Sequence, residues 1–298
     1  MRIKGRCGVH VLGLTGLLLF ACSGEDPTDP DDPVCMELEA PEDGPTTAGA
    51  RFTASISVVD TRTFAEDSAG ARTEATVGRI TGSFSDLQGV GTSTPAQALE
   101  LGERCIGIVS RPTNATPTGV TIDRLVVGGT ARGDIEVNAV ATPGLYLDVG
   151  AGLLAGATEV SATVSSSGAL PGFAASIAPA APVVVESPVS DGTGTVDRAG
   201  MRVRWNAGNG DAIVIRINPE QTMGGVESGG QVICQVVDDG CFDVPAAATT
   251  FLLSSNTEKY GFLLSRVRSV GQEVDGMTRA VLRTASEWST DLANGVFE

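Results

Sequence analysis

The chain has 298 residues, with 20 lysines and arginines against 36 aspartates and glutamates, a formal charge of −16. That balance repels nucleic acid and anionic lipid, and no basic patch reverses it. With 38 glycines and only 4% aromatics, the composition suits an exported β protein of small side chains and many turns.

The first stretch has the layout of an export signal. Arg2, Lys4 and Arg6 are basic, and Gly8 to Ala21 is apolar. A membrane span takes about 20 apolar residues, so this segment is too short to be one. It closes on Leu19-Phe20-Ala21-Cys22, which resembles the lipobox of bacterial lipoproteins. The resemblance implies that residues 1–21 are a signal peptide and that the Cys22 thiol carries a diacylglycerol. Cys22 then becomes the first residue of the mature chain. Ser23, where aspartate favours inner-membrane retention in that family, implies the outer membrane. Each buried acyl methylene contributes about 0.8 kcal/mol, so several chains hold a soluble domain on a bilayer. Residues 22–33 then form a tether. The run Glu25-Asp26-Pro27-Thr28-Asp29-Pro30-Asp31-Asp32-Pro33 repels itself and blocks helix, so it is expected to be extended and disordered.

From Cys35 onward the apolar residues alternate. Ala54, Ile56 and Val58 share one face of a strand over Thr53 to Val59, and Val77 to Phe84 predicts another. Pro95 to Leu101 predicts a single helical turn. Strands follow at Cys105–Val109, Ile122–Val127, Ile135–Ala141, Leu145–Val149, Val160–Val164 and Phe173–Ile177. Ala178-Pro179-Ala180-Ala181-Pro182 predicts a boundary. Beyond it, Met201, Val203 and Trp205 alternate with arginines, and Ile213, Ile215 and Ile217 mark the next strand. Asn209-Gly210 between them predicts a tight hairpin, as does Asp238-Asp239-Gly240 between Val232–Val237 and Phe242–Val244. Phe251–Leu253, Phe262–Val270 and Thr278–Thr284 are further predicted strands, the last two separated by Asp275-Gly276. The expected fold class is all-β. Two β-sandwich domains, immunoglobulin-like or related, are expected over 34–180 and 181–298.

Cys7 leaves with the signal and Cys22 is lipidated, so Cys35, Cys105, Cys234 and Cys241 remain. An even number in an exported chain predicts two disulfides. Of the three connectivities, Cys35–Cys105 with Cys234–Cys241 keeps each pair inside one expected domain. Zinc is disfavoured, because the cysteine spacing lacks a CxxC and offers no histidine.

Arg198-Ala199-Gly200-Met201-Arg202-Val203-Arg204-Trp205, then Cys234, then Gly240-Cys241-Phe242-Asp243-Val244-Pro245-Ala246 resembles a group of uncharacterised exported bacterial lipoproteins. Leu170-Pro171-Gly172-Phe173-Ala174-Ala175-Ser176-Ile177 is similar to a segment upstream in the same group. The resemblance spans about residues 120–250 and implies no activity.

Several chemistries are excluded by residue type. The only histidine, His10, lies in the signal, so the mature chain has no base for Ser-His-Asp or Cys-His catalysis and no imidazole ligand. Lys259 is the one lysine left for a Ser–Lys dyad, and it falls in a predicted loop. Gly82, Gly89, Gly91 and Gly128-Gly129 lack a strand–loop–helix setting and are read as turn glycines. Asp191-Gly192-Thr193-Gly194 has the wrong order for an aspartic-protease loop. Trp205 and Trp288 are expected to pack. No catalytic residue and no metal ligand is assigned. The expectation is a lipid-anchored outer-membrane protein, periplasmic or surface-exposed, with a structural or interaction role and an envelope protein or glycan as partner. The alternatives are a carboxylate-dependent hydrolase of envelope glycans or peptides and a calcium-dependent adhesin. Calcium is the one cofactor suggested, by Asp191, Asp211 and Asp238-Asp239 at predicted turns.

Overall fold

A computed structural model describes residues 35, 49–66, 72–88, 97–102, 104–110, 118–140, 144–150, 152–166, 168, 170–188, 194–219, 230–255 and 257–295. The strands in order are β1 (Phe52–Glu66), β2 (Arg72–Asp86), β3 (Gln97–Glu100), β4 (Cys105–Ser110), β5 (Thr118–Gly119) and β6 (Ile122–Thr130). Next come β7 (Gly133–Val140), β8 (Gly144–Gly150), β9 (Val160–Ser165), β10 (Phe173–Ile177), β11 (Val185–Ser187) and β12 (Thr195–Val196). Then follow β13 (Met201–Trp205), β14 (Ala212–Pro219), β15 (Gln231–Val236), β16 (Cys241–Val244), a helix α1 (Ala246–Leu253), β17 (Lys259–Glu273) and β18 (Thr278–Asn294). The all-β, sandwich-like class read from the alternation holds.

One 11-stranded sheet runs β3-β4-β15-β14-β17-β18-β1-β2-β5, with β8 beside β2 and β12 beside β18. A four-stranded sheet, β10-β9-β6-β7, and a three-stranded sheet, β11-β13-β16, cover it. Two cores result. In the first, Ile56, Val58, Ile80 and Phe84 of the large sheet meet Leu125, Val127, Val160 and Val164 of the four-stranded one. In the second, Ile213, Ile215, Phe262, Leu264 and Trp288 meet Val203, Trp205 and Val244 of the three-stranded one.

The β17–β18 hairpin serves both cores. Along β18, Ala280 and Leu282 pack in the first core while Trp288 and Leu292 pack in the second. Period-two alternation continues through the strand, so one inward face can floor two cores. β1 runs parallel to β18 in the register Phe52↔Thr278 to Thr63↔Ser289 and carries the same division, with Ile56 in the first core and Phe64 against the second.

This architecture corrects the division at 180/181. β3 and β4, from before that point, lie at the far end of the large sheet beside β15, and β17 and β18, from after it, floor the first core. Cys35–Glu298 is one compact unit. The disulfides are corrected with it. They join Cys105 to Cys234 and Cys35 to Cys241, with Cα separations of 4.1 and 5.4 Å. Cys105 and Cys234 are directly opposed on β4 and β15, so strand pairing puts the two thiols together.

Local expectations change in three places. Gln97–Glu100 is an edge strand rather than a helical turn, because pairing with β4 overrides the helix preference of Ala98, Leu99 and Glu100. Residues 251–253 end a helix rather than form a strand. Pro245 sits extended before the first turn, alanines fill positions 246–248, and Ala248 and Leu252, four apart, enter the second core. Neither Asn209-Gly210 nor Asp238-Asp239-Gly240 closes a hairpin. β13 and β16 pair with each other in the small sheet while β14 and β15 lie in the large one, so both turns carry the chain between sheets. Asp275-Gly276 does close the β17–β18 hairpin.

Candidate functional site

Between the two cores the inward face of the large sheet turns polar. Asp60 of β1 opposes Ser286 of β18, which opposes Arg266 of β17. Each occupies the phase that its strand elsewhere gives to apolar side chains. Each holds the backbone of a segment crossing above. Asp60 Oδ1 and Oδ2 accept from the N–H groups of Leu153 and Leu154 at 2.6 and 2.8 Å. Ser286 Oγ accepts from Val183 N at 2.9 Å, and Thr284 Oγ1 accepts from Ala180 N at 3.0 Å. Arg266 donates to the carbonyls of Ala181, Pro182 and Asn206. These crossing segments run outside the regular strands, and buried peptide groups must be satisfied somewhere. The seam is that partner set.

Arg266 is fully buried and pairs with an almost fully buried Asp238. Its Nε and one terminal nitrogen reach the two carboxylate oxygens at 2.6 and 3.0 Å, a bidentate contact. Trp205 Nε1 donates to Asp238 Oδ1 at 2.9 Å and Gly210 N to Oδ2 at 2.8 Å. A Cβ on Gly208 or Gly210 would run into the Arg266 side chain, so both positions require glycine.

Asn206 and Asn209 complete the clamp from the loop after β13. Asn206 Oδ1 accepts from Val184 N, and its Nδ2 donates to Pro182 O. Asn209 Oδ1 accepts from Ala181 N at 2.8 Å, and its Nδ2 donates to Pro179 O at 3.1 Å. The two amides act as short substitutes for strand pairing.

Two carboxylates border the cleft beside the seam, Asp60 and Glu287. Asp60 faces inward and the adjacent strand position's partner, Glu287, faces outward, where it accepts from Thr61 at 2.7 Å and Ser265 at 3.1 Å. The cleft between the seam and the crossing segments is about 120 Å³, below the roughly 300 Å³ of a small-molecule site. A depression of about 390 Å³ lies along the turn end of the β17–β18 hairpin, and its lining holds one carboxylate, Glu273.

The aspartates weighed for calcium have other occupations. Asp238 faces Arg266, and Asp211 accepts from Ser269 N at 2.7 Å with Arg268 nearby at 3.8 Å. Burial pushes the Asp239 carboxyl up, with the Asp238 charge adding to it and the Cys241 N–H opposing. Asp191 lies outside the described residues. Among the described residues no three Cys, Asp, Glu or His side chains converge as a metal would need. Lys259 is the exposed first residue of β17, opposite Ala293, rather than part of a loop. Trp205 is buried, as expected of a packing residue. So is Trp288, against Phe64 at a centroid distance of 4.5 Å with the Arg62 guanidinium over its ring. Cys22 and the tether at 22–33 lie outside the described residues. No described helix is long and apolar enough to cross a membrane, which says nothing of strands.

No family model and no curated protein matches the chain. Two solved structures show a faint likeness. One is a Ca²⁺-stabilised adhesin with which an Antarctic bacterium binds ice, at 14% identity over 78% of this chain and 55% of that one, with a TM-score of 0.18. The other is a 1.5-MDa bacterial ice-binding adhesin, at 10% identity over 76% of this chain and 80% of that one, with a TM-score of 0.17. Superpositions this poor transfer neither fold nor function, and the chain spans only about half of the first.

Proposed function

We propose that this protein is a lipid-anchored component of the cell envelope, held at the outer membrane through Cys22, with a structural or interaction role and no catalysis of its own. The observation that carries the reading is how the inward carboxylates are used. Asp60 and Asp238 are engaged by backbone, tryptophan and arginine donors that hold the fold together. A general acid or base needs a carboxyl that can meet substrate, and these two are occupied. The mature chain also has no histidine and a single lysine. The acidic tether, by its composition, lifts the β body off the bilayer.

The test is intact mass and membrane fractionation of the wild type beside Cys22→Ser, followed by crosslinking in the envelope. A mature chain beginning at residue 22 with acyl chains attached, released from the membrane by the substitution, supports the reading. A wild type recovered soluble and unlipidated overturns it.

A further inference from the structure

We propose that Asn209-Gly210 is a latent deamidation site that the native seam holds inert, and that its conversion loosens the segment between the two cores. The reaction needs no enzyme. The Gly210 backbone nitrogen loses its proton to hydroxide and attacks Asn209 Cγ. A nitrogen–carbon bond forms, the Cγ–Nδ2 bond breaks, and ammonia leaves. Water then opens the succinimide to aspartate or isoaspartate. Glycine as the following residue offers no side chain to hinder the attack.

Asn209 is solvent-exposed, so burial does not protect it. Two sets of hydrogen bonds do. The electrophile is fixed by Ala181 N on Oδ1 and by Pro179 O on Nδ2, so any rotation of the amide, and its loss as ammonia, works against these two bonds. The nucleophile is fixed by donating to Asp238 Oδ2 at 2.8 Å. Deprotonating that nitrogen places a second negative charge beside a carboxylate that accepts its proton, which disfavours the reactive form. Asp238 is itself held by Arg266, so the acceptor does not swing away.

The product damages the clamp that protected it. Replacing Nδ2 by a carboxylate oxygen removes the donor to Pro179 O and sets two acceptors against each other. Isoaspartate adds a backbone atom in a loop whose next residue has no room for a Cβ. The change is irreversible, so each chain would record whether its seam had opened.

The experiment incubates the mature chain in mildly alkaline buffer, native and in urea, and follows Asn209 by peptide mapping. Three hydrogen bonds oppose the attack, so the native rate is expected to be at least ~10-fold below the unfolded one. Equal rates would overturn the protection. Ser286→Ala, which frees Val183 N without touching Asn209 or Asp238, should raise the native rate, and an unchanged rate counts against seam opening as the gate. The consequence is read separately in Asn209→Asp. Hydrogen exchange at Ala181 N should rise several-fold over wild type, and unchanged exchange would remove the claim that conversion loosens the segment.

Discussion

The two cores share a floor but are closed differently. The first is closed by strands of five to nine residues, β6, β7, β9 and β10, and its interior is aliphatic with phenylalanines. The second is closed by strands of three to five residues, β11, β13 and β16. A short cover buries less apolar area, and stabilisation scales with area at about 25 cal/mol per Å². The second core compensates with large rings, Trp205, Tyr260 and Trp288, with α1, and with the Cys105–Cys234 disulfide in its interior. The Cys35–Cys241 bond fastens the start of the described chain to β16 beside it. The first core has no disulfide among the described residues. The core under the shorter cover is the one that carries the crosslinks.

The largest expected effect separates the cores at the seam. Asp238→Ala leaves Arg266 buried without its counter-charge and deprives Trp205 Nε1 and Gly210 N of their acceptor. Removing one partner of a buried pair costs about 3–5 kcal/mol. Urea unfolding should show a loss of that size, and a loss below about 1 kcal/mol would falsify the view that the pair closes the seam. Replacing both Cys105 and Cys234 with alanine should come next, at about 3 kcal/mol, in the usual range for loss of a disulfide. The comparison sharpens if fluorescence of the tryptophans, both in the second core, reports an earlier transition than exchange of β6 and β9 amides. Coincident transitions would mean that the shared floor makes the two cores one cooperative unit. Thr284→Val removes only the acceptor for Ala180 N and should cost about 1–2 kcal/mol by the same urea assay, without altering either core.

Much of this was legible in the alternation of apolar residues, which located most of the strands. The lengths were not. β1 was predicted to stop at Val59, because the inward phase then passes to Asp60 and Arg62, yet it continues to Glu66 and returns to Phe64. β18 does the same through Thr284 and Ser286 before Trp288. A polar interruption in phase with apolar residues on both sides marks a strand crossing from one core to another. Arg266, following Tyr260, Phe262 and Leu264 at spacing two, was the signal available for the seam. Its partner Asp238 was not legible, because Asp238-Asp239-Gly240 satisfies the local chemistry of a hairpin equally well. The disulfides were misassigned for a related reason. Pairing them within halves assumed that chain order and sheet order agree, whereas β4 reaches β15 across the sheet.

The smallest effect tests whether the second core's rim is under electrostatic strain. Asp239 is exposed, and its carboxyl is held above the ordinary range mainly by partial burial, with Asp238 next to it in the chain. A raised acid binds its proton more tightly folded than unfolded. The stability it contributes is therefore complete at low pH and is lost as pH rises through the folded value, beginning near the ordinary aspartate value of about 4. Above that window the ionised group is a net cost. Asp239→Asn should then be slightly more stable than wild type at neutral pH and indistinguishable from it at the acid end, so the two melting-temperature curves converge on acidification. A wild type more stable than Asp239→Asn at neutral pH, with that advantage lost on acidification, would reverse the sign and show that Asp239 acts as a stabilising acceptor for the Cys241 N–H at 3.4 Å rather than as a charge the rim tolerates.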